Sequence, residues 1–229
     1  MQYIIELFSQ YWLGMVIALI AAYLIGSINF AIVLTMLSKK RDIRKSGSGN
    51  AGATNMLRTY GKGYGAATLA LDAAKGFGAA ALGYFTGIIL YSAPVWELVY
   101  LASLASVLGH MFPLYFSFKG GKGISTALGF LLFLDWRMGL SCLVVWIIMV
   151  ILTRMVSVGS VCASASAPIA VCIFGLNLWQ QDAKTVIFGT AVIGITALLV
   201  IIKHGGNIKR VFSGSESKLS FKKKPRQEQ

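Results

Sequence analysis

Residues Tyr11 to Leu37 form a long run without a single charged side chain, and most of its residues are apolar. A helix of about 20 apolar residues crosses the ~30 Å hydrocarbon core of a bilayer, and this run is longer than that. Several comparable runs follow along the chain. The pattern therefore predicts an all-α, polytopic integral membrane protein.

The composition supports this class. Of the 229 residues, 56% are hydrophobic and 13% are charged, whereas a soluble domain carries about a quarter charged residues. This balance excludes a soluble domain, a disordered chain, a coiled coil and a disulfide scaffold. A net charge of +13 would suggest nucleic-acid binding in a soluble protein. In a membrane protein, lysine and arginine are placed mainly by topology, so we expect no nucleic-acid partner.

Metal and redox chemistry have little support in the sequence. The three cysteines, Cys142, Cys162 and Cys172, all lie in apolar stretches without a CxxC pair. They are typical of cysteines that act as small hydrophobic residues. The chain has two histidines and no acidic cluster near them, which argues against zinc. We predict no metal site and no cofactor.

The first run also sets the predicted orientation. Glu6 precedes it, and a basic cluster at Lys39 to Lys45 follows it. It is too long for a signal peptide and lacks a basic residue before it. Since lysine and arginine concentrate on the cytoplasmic side, we predict an external N-terminus.

The remaining runs complete the count of crossings. Residues Ile124 to Thr153 would bury Asp135 and Arg137 near the bilayer centre if they formed one helix, which is costly. Two short helices hinged at Asp135 avoid this cost and also place the basic C-terminal tail inside. The total is seven transmembrane helices with a cytoplasmic C-terminus, in one catalytic domain over residues 1–229 whose basic tail is about 220–229. The other predicted spans are Ala66 to Leu90, Leu98 to Phe118, Val156 to Leu178 and Thr185 to Ile202.

Polar residues suited to chemistry occur in three clusters, all predicted at the cytoplasmic face. The first is Ser46 to Asn55, followed by Arg58; the second is Gly109 to Thr126; the third is His204 to Arg210. Both histidines of the chain lie in these clusters. The outer turns have no comparable group.

The glycines in the first two clusters favour anion binding. Gly47 to Gly52 matches GxGxxG without the preceding strand that a dinucleotide fold requires, and Gly120 to Ser125 fails the P-loop spacing. Successive glycines still allow backbone N–H groups to converge on an anion, and helix N-termini add their dipoles. The alternative is that the glycines only make turns and the basic residues only set topology. We predict two phosphate sites charged by Arg58 and Lys122 and formed by Gly49, Asn50, Gly52, Thr54, Asn55, Gly120, Gly121 and Gly123.

Several other polar residues have a structural alternative. Asp72 and Lys75 are three apart and could pair on one helix face. His110 beside Pro113 is typical of a helix end. A lone histidine near the interface, such as His204, is more often a packed polar residue than a catalyst.

Taken in order, these clusters resemble one family, the bacterial membrane glycerol-3-phosphate acyltransferases that use acyl phosphate as donor. The matching segments are Ser48 to Thr59 with Gly61-Lys62, Asp72 with Lys75-Gly76, Gly109-His110 with Phe112-Pro113, Phe118 to Gly123, and His204, Asn207-Ile208, Arg210 and Glu216. The resemblance implies a seven-helix enzyme of the bacterial cytoplasmic membrane that needs neither coenzyme A nor metal. Its partners would be membrane lipids, its two phosphorylated substrates and the soluble phosphate acyltransferase that supplies acyl phosphate.

By the same resemblance, the catalytic residues are Ser48, Arg58, Lys122, His204 and Asn207, and Glu216 is structural. Ser157 or Ser160 has a family counterpart, and Ser160 is our choice for a phosphate ligand.

The role of His204 stays open between two possibilities. It could take the proton of the glycerol hydroxyl. Alternatively, His204 and Asn207 only orient the glycerol while a substrate phosphate takes the proton. A dense cluster of cations depresses the pKa of a histidine, which favours the orienting role.

Two rival functions fit less well. A transporter for a phosphorylated solute needs polar groups near the membrane midplane, and the outer half of this chain is almost wholly apolar. A headgroup transferase with a nucleotide donor needs paired aspartates for a metal, which the eight scattered acids do not supply. The extended basic tail can hold anionic lipid headgroups.

Overall fold

The computed structural model describes residues 2–178 and 182–219, and the basic tail at 220–229 lies outside them. Within these ranges every regular element is helical and no β-strand occurs. The all-α prediction is therefore confirmed for the described residues. The helices are α1 (Gln2–Ser27), α2 (Phe30–Lys39), α3 (Ala53–Tyr60), α4 (Lys62–Tyr91), α5 (Trp96–Met111), α6 (Ile124–Leu134), α7 (Trp136–Thr153), α8 (Val156–Leu178), α9 (Ala183–Lys203) and α10 (Gly205–Phe212).

Six helical segments among the described residues are long and apolar enough to cross a membrane, and α6 is a shorter apolar helix of 11 residues. Large apolar side chains cover the outer surface of the bundle: Ile89 is 78% exposed and Leu152 is 72% exposed. Lipid tails solvate such a surface and water does not. The seven-crossing count stays a prediction, because it depends on whether α6 spans the bilayer together with its neighbours.

The predicted division of residues Ile124 to Thr153 into two helices is confirmed. The break lies at Asp135, whose carboxylate accepts a hydrogen bond from the Arg137 backbone at 2.7 Å and so caps α7. The same carboxylate forms an ion pair with the Arg137 side chain at 2.8 Å. An N-cap aspartate satisfies helix N–H groups that would otherwise lack partners. The two charges thus neutralise each other where the chain turns.

The first predicted span is interrupted between α1 and α2. The break exposes backbone groups that side chains then satisfy. The Asn29 side chain accepts a hydrogen bond from the Ile32 N–H at 3.1 Å, and its amide donates to the carbonyl of Ala51 at 3.2 Å. This interruption ties the first helix pair to the glycine-rich segment that follows it.

The predicted helix through Phe118 is wrong at its C-terminal end, because α5 ends at Met111. Pro113 disfavours helical backbone in the residue before it, and Phe112 accordingly leaves the helical region. Residues 112–123 form a turn with a short 3-10 segment, Leu114–Phe116.

Close helix contacts hold the bundle together around its centre. A side chain added at Gly76 of α4 would overlap the backbone of Thr126, and one added at Gly129 of α6 would overlap the backbone of Ala73. Small residues of this kind let membrane helices approach closely. Helix α4 therefore packs tightly on α6, and α7, α8, α9 and α5 complete the wall of an internal cavity.

Candidate active site

A cavity of about 740 Å³ opens at the end of the bundle where the three polar clusters meet. We call this end the polar end; it comprises residues 40–61, 112–123 and 204–219. The predicted meeting of the three clusters at one end is confirmed by their shared cavity. Deeper in the bundle the walls become apolar, with Leu128, Leu131, Leu143, Ala163, Ala167 and Ile193. The cavity thus joins a charged mouth to an apolar shaft.

The first glycine-rich loop, residues 46–52, is held in shape by Asn55. The Asn55 amide donates to the carbonyls of Ser46 and Asn50 at 3.0 Å, and its oxygen accepts from the Ser48 N–H at 2.9 Å. The side chain is 1% exposed. We therefore revise the predicted role of Asn55 as a phosphate ligand: its polar side-chain atoms are committed to the loop. Asn55 itself lines the cavity, together with Ser48, Gly49, Asn50, Gly52, Thr54 and Arg58.

The second glycine-rich loop differs from the prediction. The N–H groups of Gly120 and Gly121 donate to the carbonyls of Met111 and His110, at 3.2 and 3.1 Å. They satisfy the exposed carbonyl groups at the end of α5, and neither glycine lines the cavity. The geometry therefore lends no support to the prediction that these two glycines cradle phosphate, because their N–H groups already have partners. Gly123 does line the cavity, and its φ of +86° starts α6 in a conformation suited to glycine.

Helix N-termini bring further backbone N–H groups to the cavity mouth. Helix α3 begins at Ala53, α6 at Ile124 and α10 at Gly205, and the first turn of each contributes residues to the cavity wall. The first N–H groups of a helix lack partners within it, and the helix dipole favours negative charge there. Three such termini around one cavity mouth make it strongly suited to anions.

Lys122 lies at the centre of a polar network at this mouth. Its ammonium donates to the side-chain oxygen of Asn207. The Asn207 amide donates to Glu216 at 2.7 Å, and the Glu216 carboxylate also accepts from Ser157 at 2.8 Å and from Arg210 at 2.8 Å. Burial lowers the pKa of Lys122 to about 8; the charge of Glu216 opposes this shift, and the charges of Arg210 and Arg58 add to it. Lys122 is therefore largely cationic at pH 7, and its charge is easily lost at higher pH.

His204 lies at the junction of α9 and α10 and is 3% exposed. Its Nδ1 is 2.8 Å from the carbonyl oxygen of Val200. A carbonyl only accepts, so we assign the proton to Nδ1 and leave Nε2 as an acceptor. Burial, followed by the charge of Lys122, lowers the pKa of His204 to about 4. Nearby cations and burial act on His204 in the same direction, and burial is the larger cause.

The two candidate serines have different places. Ser160 lies on the cavity wall, where its hydroxyl donates to the Val156 carbonyl at 2.9 Å and accepts from Trp146 at 3.3 Å. Ser157 instead binds Glu216. Of the two serines, Ser160 is the one that lines the cavity, although its hydroxyl already has two partners.

Some cavity residues were not predicted as part of the site. Asp72 and His110 both line the cavity and are nearly fully buried. The sequence indicated that Asp72 pairs with Lys75 on one helix face and that His110 lies at a helix end. The spacing of Asp72 and His110 along the chain gives no sign that the two residues meet. Lys203 also lines the cavity.

No group of three His, Cys, Asp or Glu side chains is arranged to hold a metal ion among residues 2–178 and 182–219. The cavity mouth presents the positive charges of Arg58 and Lys122, backbone N–H groups of helix N-termini and the imidazole of His204. Groups of this kind can bind and orient anions and polarise a carbonyl.

Comparisons with known proteins identify the family of the chain. The family model described as glycerol-3-phosphate acyltransferase matches residues 16–214. A glycerol-3-phosphate acyltransferase of Mesorhizobium japonicum is 40% identical over 210 residues, covering 91% of this chain and 98% of the relative. One of Paramagnetospirillum magneticum is 39% identical over 221 residues, covering 94% and 99%.

Two solved structures share the fold. The crystal structure of PlsY (YgiH), an integral membrane glycerol 3-phosphate acyltransferase, in its glycerol 3-phosphate form has a TM-score of 0.76 and 37% identity. The match covers 90% of this chain and 96% of that one. The lysophosphatidic acid form of PlsY has a TM-score of 0.73 and 35% identity, with coverage of 90% and 95%. On the family match and these identities, the chain belongs to the glycerol-3-phosphate acyltransferase family.

Proposed function

We propose that this protein transfers a fatty acyl group from acyl phosphate to the 1-hydroxyl of glycerol 3-phosphate, releasing lysophosphatidate and inorganic phosphate. The observation that supports this most is the cavity itself, whose cationic mouth leads directly into an apolar shaft. A small water-soluble dianion would not need the apolar shaft, and a neutral lipid would not need the cationic side chains at the mouth. A donor with a phosphate head and an acyl tail needs both.

The mouth carries cationic side chains that could hold two phosphate groups. Arg58 lines the cavity, is exposed, and forms no ion pair within the described residues, so its guanidinium is available for a phosphate. An arginine fork binds phosphate oxygens in pairs. Lys122 and the first turns of α3, α6 and α10 supply the remaining donors. Holding two mutually repelling anions in reactive contact is the main catalytic task.

The reaction needs no covalent enzyme intermediate, because acyl phosphate is already an activated anhydride. The glycerol hydroxyl oxygen bonds to the acyl carbon, and the bond from that carbon to the phosphate oxygen breaks. Phosphate leaves with the electron pair and also takes the hydroxyl proton. His204 accepts a hydrogen bond from the glycerol through Nε2 and orients it with Asn207. A histidine with a pKa of about 4 is a weak base, whereas the second pKa of a phosphate monoester is near 6.

The direct test uses purified protein in detergent with glycerol 3-phosphate. We expect lysophosphatidate and inorganic phosphate in equal amounts from palmitoyl phosphate, and no product from palmitoyl-CoA. Product from palmitoyl-CoA alone would assign a different donor. Absence of product from both, together with uptake of glycerol 3-phosphate into proteoliposomes, would favour a transporter.

Arg58→Lys is expected to lower kcat/KM by about ten- to a hundredfold although the charge is kept. The physical reason is the loss of a charge-assisted, two-point contact with phosphate, worth roughly 1.5–3 kcal/mol. Steady-state kinetics with palmitoyl phosphate measures the effect, and Arg41→Lys in the nearby basic cluster is the matched control. Wild-type kinetics for Arg58→Lys would mean that the residue only sets topology.

His204→Gln tests which group takes the proton. We expect the glutamine variant to keep kcat within about a hundredfold of wild type, because its amide still hydrogen-bonds the glycerol. Both enzymes should show the same acidic limb, with kcat rising as pH increases through about 6, since that limb reports the substrate phosphate. A thousandfold loss together with loss of the limb would make His204 the general base.

We also propose that the chain crosses the bacterial cytoplasmic membrane seven times, with the polar end in the cytoplasm. Glycerol 3-phosphate and a soluble phosphate acyltransferase partner would then reach the mouth directly. Single cysteines at Lys119 and Ser215, in a background lacking the three native cysteines, should resist an impermeant thiol reagent in intact cells. A cysteine at Trp136, 62% exposed at the other end, should react. Labelling at Lys119 from outside would reverse the orientation.

A further inference from the structure

Three buried ionisable residues lie directly behind the cavity mouth, outside the chemistry proposed above. The Lys75 ammonium is 2.8 Å from the Asp72 carboxylate and 2.9 Å from Nδ1 of His110. His110 Nδ1 is also 3.6 Å from that carboxylate. Asp72, Lys75 and His110 are 1%, 5% and 3% exposed. We call these residues the buried triad.

The buried triad is bonded to the break between α1 and α2. Lys75 donates a third hydrogen bond, at 2.7 Å, to the carbonyl of Ile28 in that break. The next residue, Asn29, donates to the carbonyl of Ala51 in the first glycine-rich loop. The ammonium therefore joins helix α4 to the chain segment that holds this loop.

The buried triad is also in contact with the second loop. The backbone carbonyl of His110 accepts the Gly121 N–H at 3.1 Å. A Cβ atom added to Gly121 would overlap Nε2 of the His110 ring. Gly121 thus packs directly on the imidazole, and Lys122 is the next residue in the chain.

Burying an ammonium and a carboxylate is expensive even when they are paired, and apolar residues of equal volume often stabilise a fold as well or better. We therefore expect the buried triad to fix the positions of the neighbouring segments rather than to increase the stability of the fold. Asp72 and His110 reach the cavity wall but Lys75 does not, and the Lys75 ammonium bonds to Asp72, to His110 Nδ1 and to the Ile28 carbonyl. What they touch is the backbone on either side of the active site.

We propose that the buried triad is a positioning device that fixes the turn before Lys122, so that the Lys122 ammonium meets Asn207 and the substrate phosphate. The inference rests on the proposed role of Lys122 as a phosphate ligand. Each triad residue acts through the loop backbone and touches no reacting atom. Loss of the triad would let the Gly120–Gly121 turn relax and would move Lys122 out of its network.

The experiment compares two substitutions of His110 that differ in one property. His110→Gln keeps an acceptor for Lys75, and His110→Leu fills the space without one. We expect His110→Leu to raise the KM for a phosphorylated substrate at least about tenfold with a smaller change in kcat. His110→Gln should restore the KM to within about threefold of wild type. Ser103→Ala, a buried polar change on the same helix whose hydroxyl bonds only to backbone, should leave the KM unchanged.

A second readout separates positioning from folding. Lys122 faces Glu216, Arg210, Arg58 and His204, and its titration should give kcat/KM an alkaline limb near pH 8. Displacement of Lys122 would change its distances to these charged groups and so change its pKa. We therefore expect the alkaline limb of kcat/KM to shift in His110→Leu. It should stay at the wild-type pH in His110→Gln and Ser103→Ala. A smaller folded fraction lowers apparent kcat but moves neither KM nor the limb.

If His110→Leu is not recovered as folded protein, the double variant Asp72→Asn/Lys75→Met decides the question. It removes the ion pair as a unit and leaves no unpaired charge inside the bundle. The inference would be overturned if folded His110→Leu, or the folded double variant, had the wild-type KM and the wild-type alkaline limb of kcat/KM. Failure of the proposed function itself would be evident earlier, because wild-type protein would make no lysophosphatidate from palmitoyl phosphate.

Discussion

Lys122→Met should lower kcat/KM for palmitoyl phosphate by about a thousandfold, the largest effect we expect from a single substitution. Removing one preorganised electrostatic contact in an active site typically costs a hundred- to a thousandfold. Here the same change also takes a hydrogen bond from Asn207. Methionine has a similar length and suits the half-buried position, so folding should be retained.

The matched control is Lys119→Met, three residues earlier on the same loop. Lys119 is exposed and does not line the cavity, so its variant should keep wild-type kinetics within about threefold. Equal losses in the two variants would indicate a general effect of positive charge on substrate attraction. Little loss in Lys122→Met would remove Lys122 from the phosphate site.

The lowered pKa of Lys122 gives this prediction a pH dependence. Since the cation binds phosphate, kcat/KM should fall as pH rises through about 8, where the ammonium loses its proton. Plots of kcat/KM report ionisations of the free enzyme. In Lys122→Arg the residual activity should lack this limb, because a guanidinium stays charged.

Glu216→Ala should lower kcat by at least about a hundredfold even though the residue lies outside the reacting groups. Its carboxylate orients Asn207 and joins it to Ser157 on α8 and to Arg210 on α10. A hydrogen bond to a charged group contributes roughly 1.5–3 kcal/mol, and the alanine variant loses three. The free Asn207 can then neither hold Lys122 nor orient the glycerol.

Glu216→Gln refines the interpretation. The amide oxygen can still accept from Asn207 and Ser157, but its NH₂ group meets the Arg210 donor, so an intermediate kcat is expected. Glu6→Ala, an exposed acid near the N-terminus, is the control and should be neutral. Full activity in Glu216→Ala would contradict the network.

The same carboxylate predicts how stability changes with pH. Burial would raise the pKa of Glu216, but hydrogen bonds from Asn207, Ser157 and Arg210 outweigh it and lower the pKa below 4.5. A depressed carboxylate contributes stability that is complete above its unfolded pKa and is lost as pH falls through its folded pKa. The difference in melting temperature between wild type and Glu216→Gln should therefore shrink below pH 4.5.

The amino-acid sequence by itself determined the membrane class, the helical architecture, the break at Asp135 and the meeting of three polar clusters. These features follow from local physics: hydrophobic length, the cost of charge in lipid, and the turn preferences of glycine, asparagine and proline. Pro113 also indicated a helix end, but the apolar run continues to Phe118, and the boundary predicted from that run was wrong because α5 ends at Met111.

Tertiary structure alone decided which polar groups are free to bind a ligand. The sequence shows that Gly120, Gly121 and Asn55 are suited to an anion loop, but their hydrogen bonds go to α5 and to the loop itself. Likewise, Lys75 and His110 are 35 residues apart and Lys122 and Asn207 are 85 apart. A polar atom binds whichever partner the packed helices bring within about 3 Å, and no local pattern contains that distance.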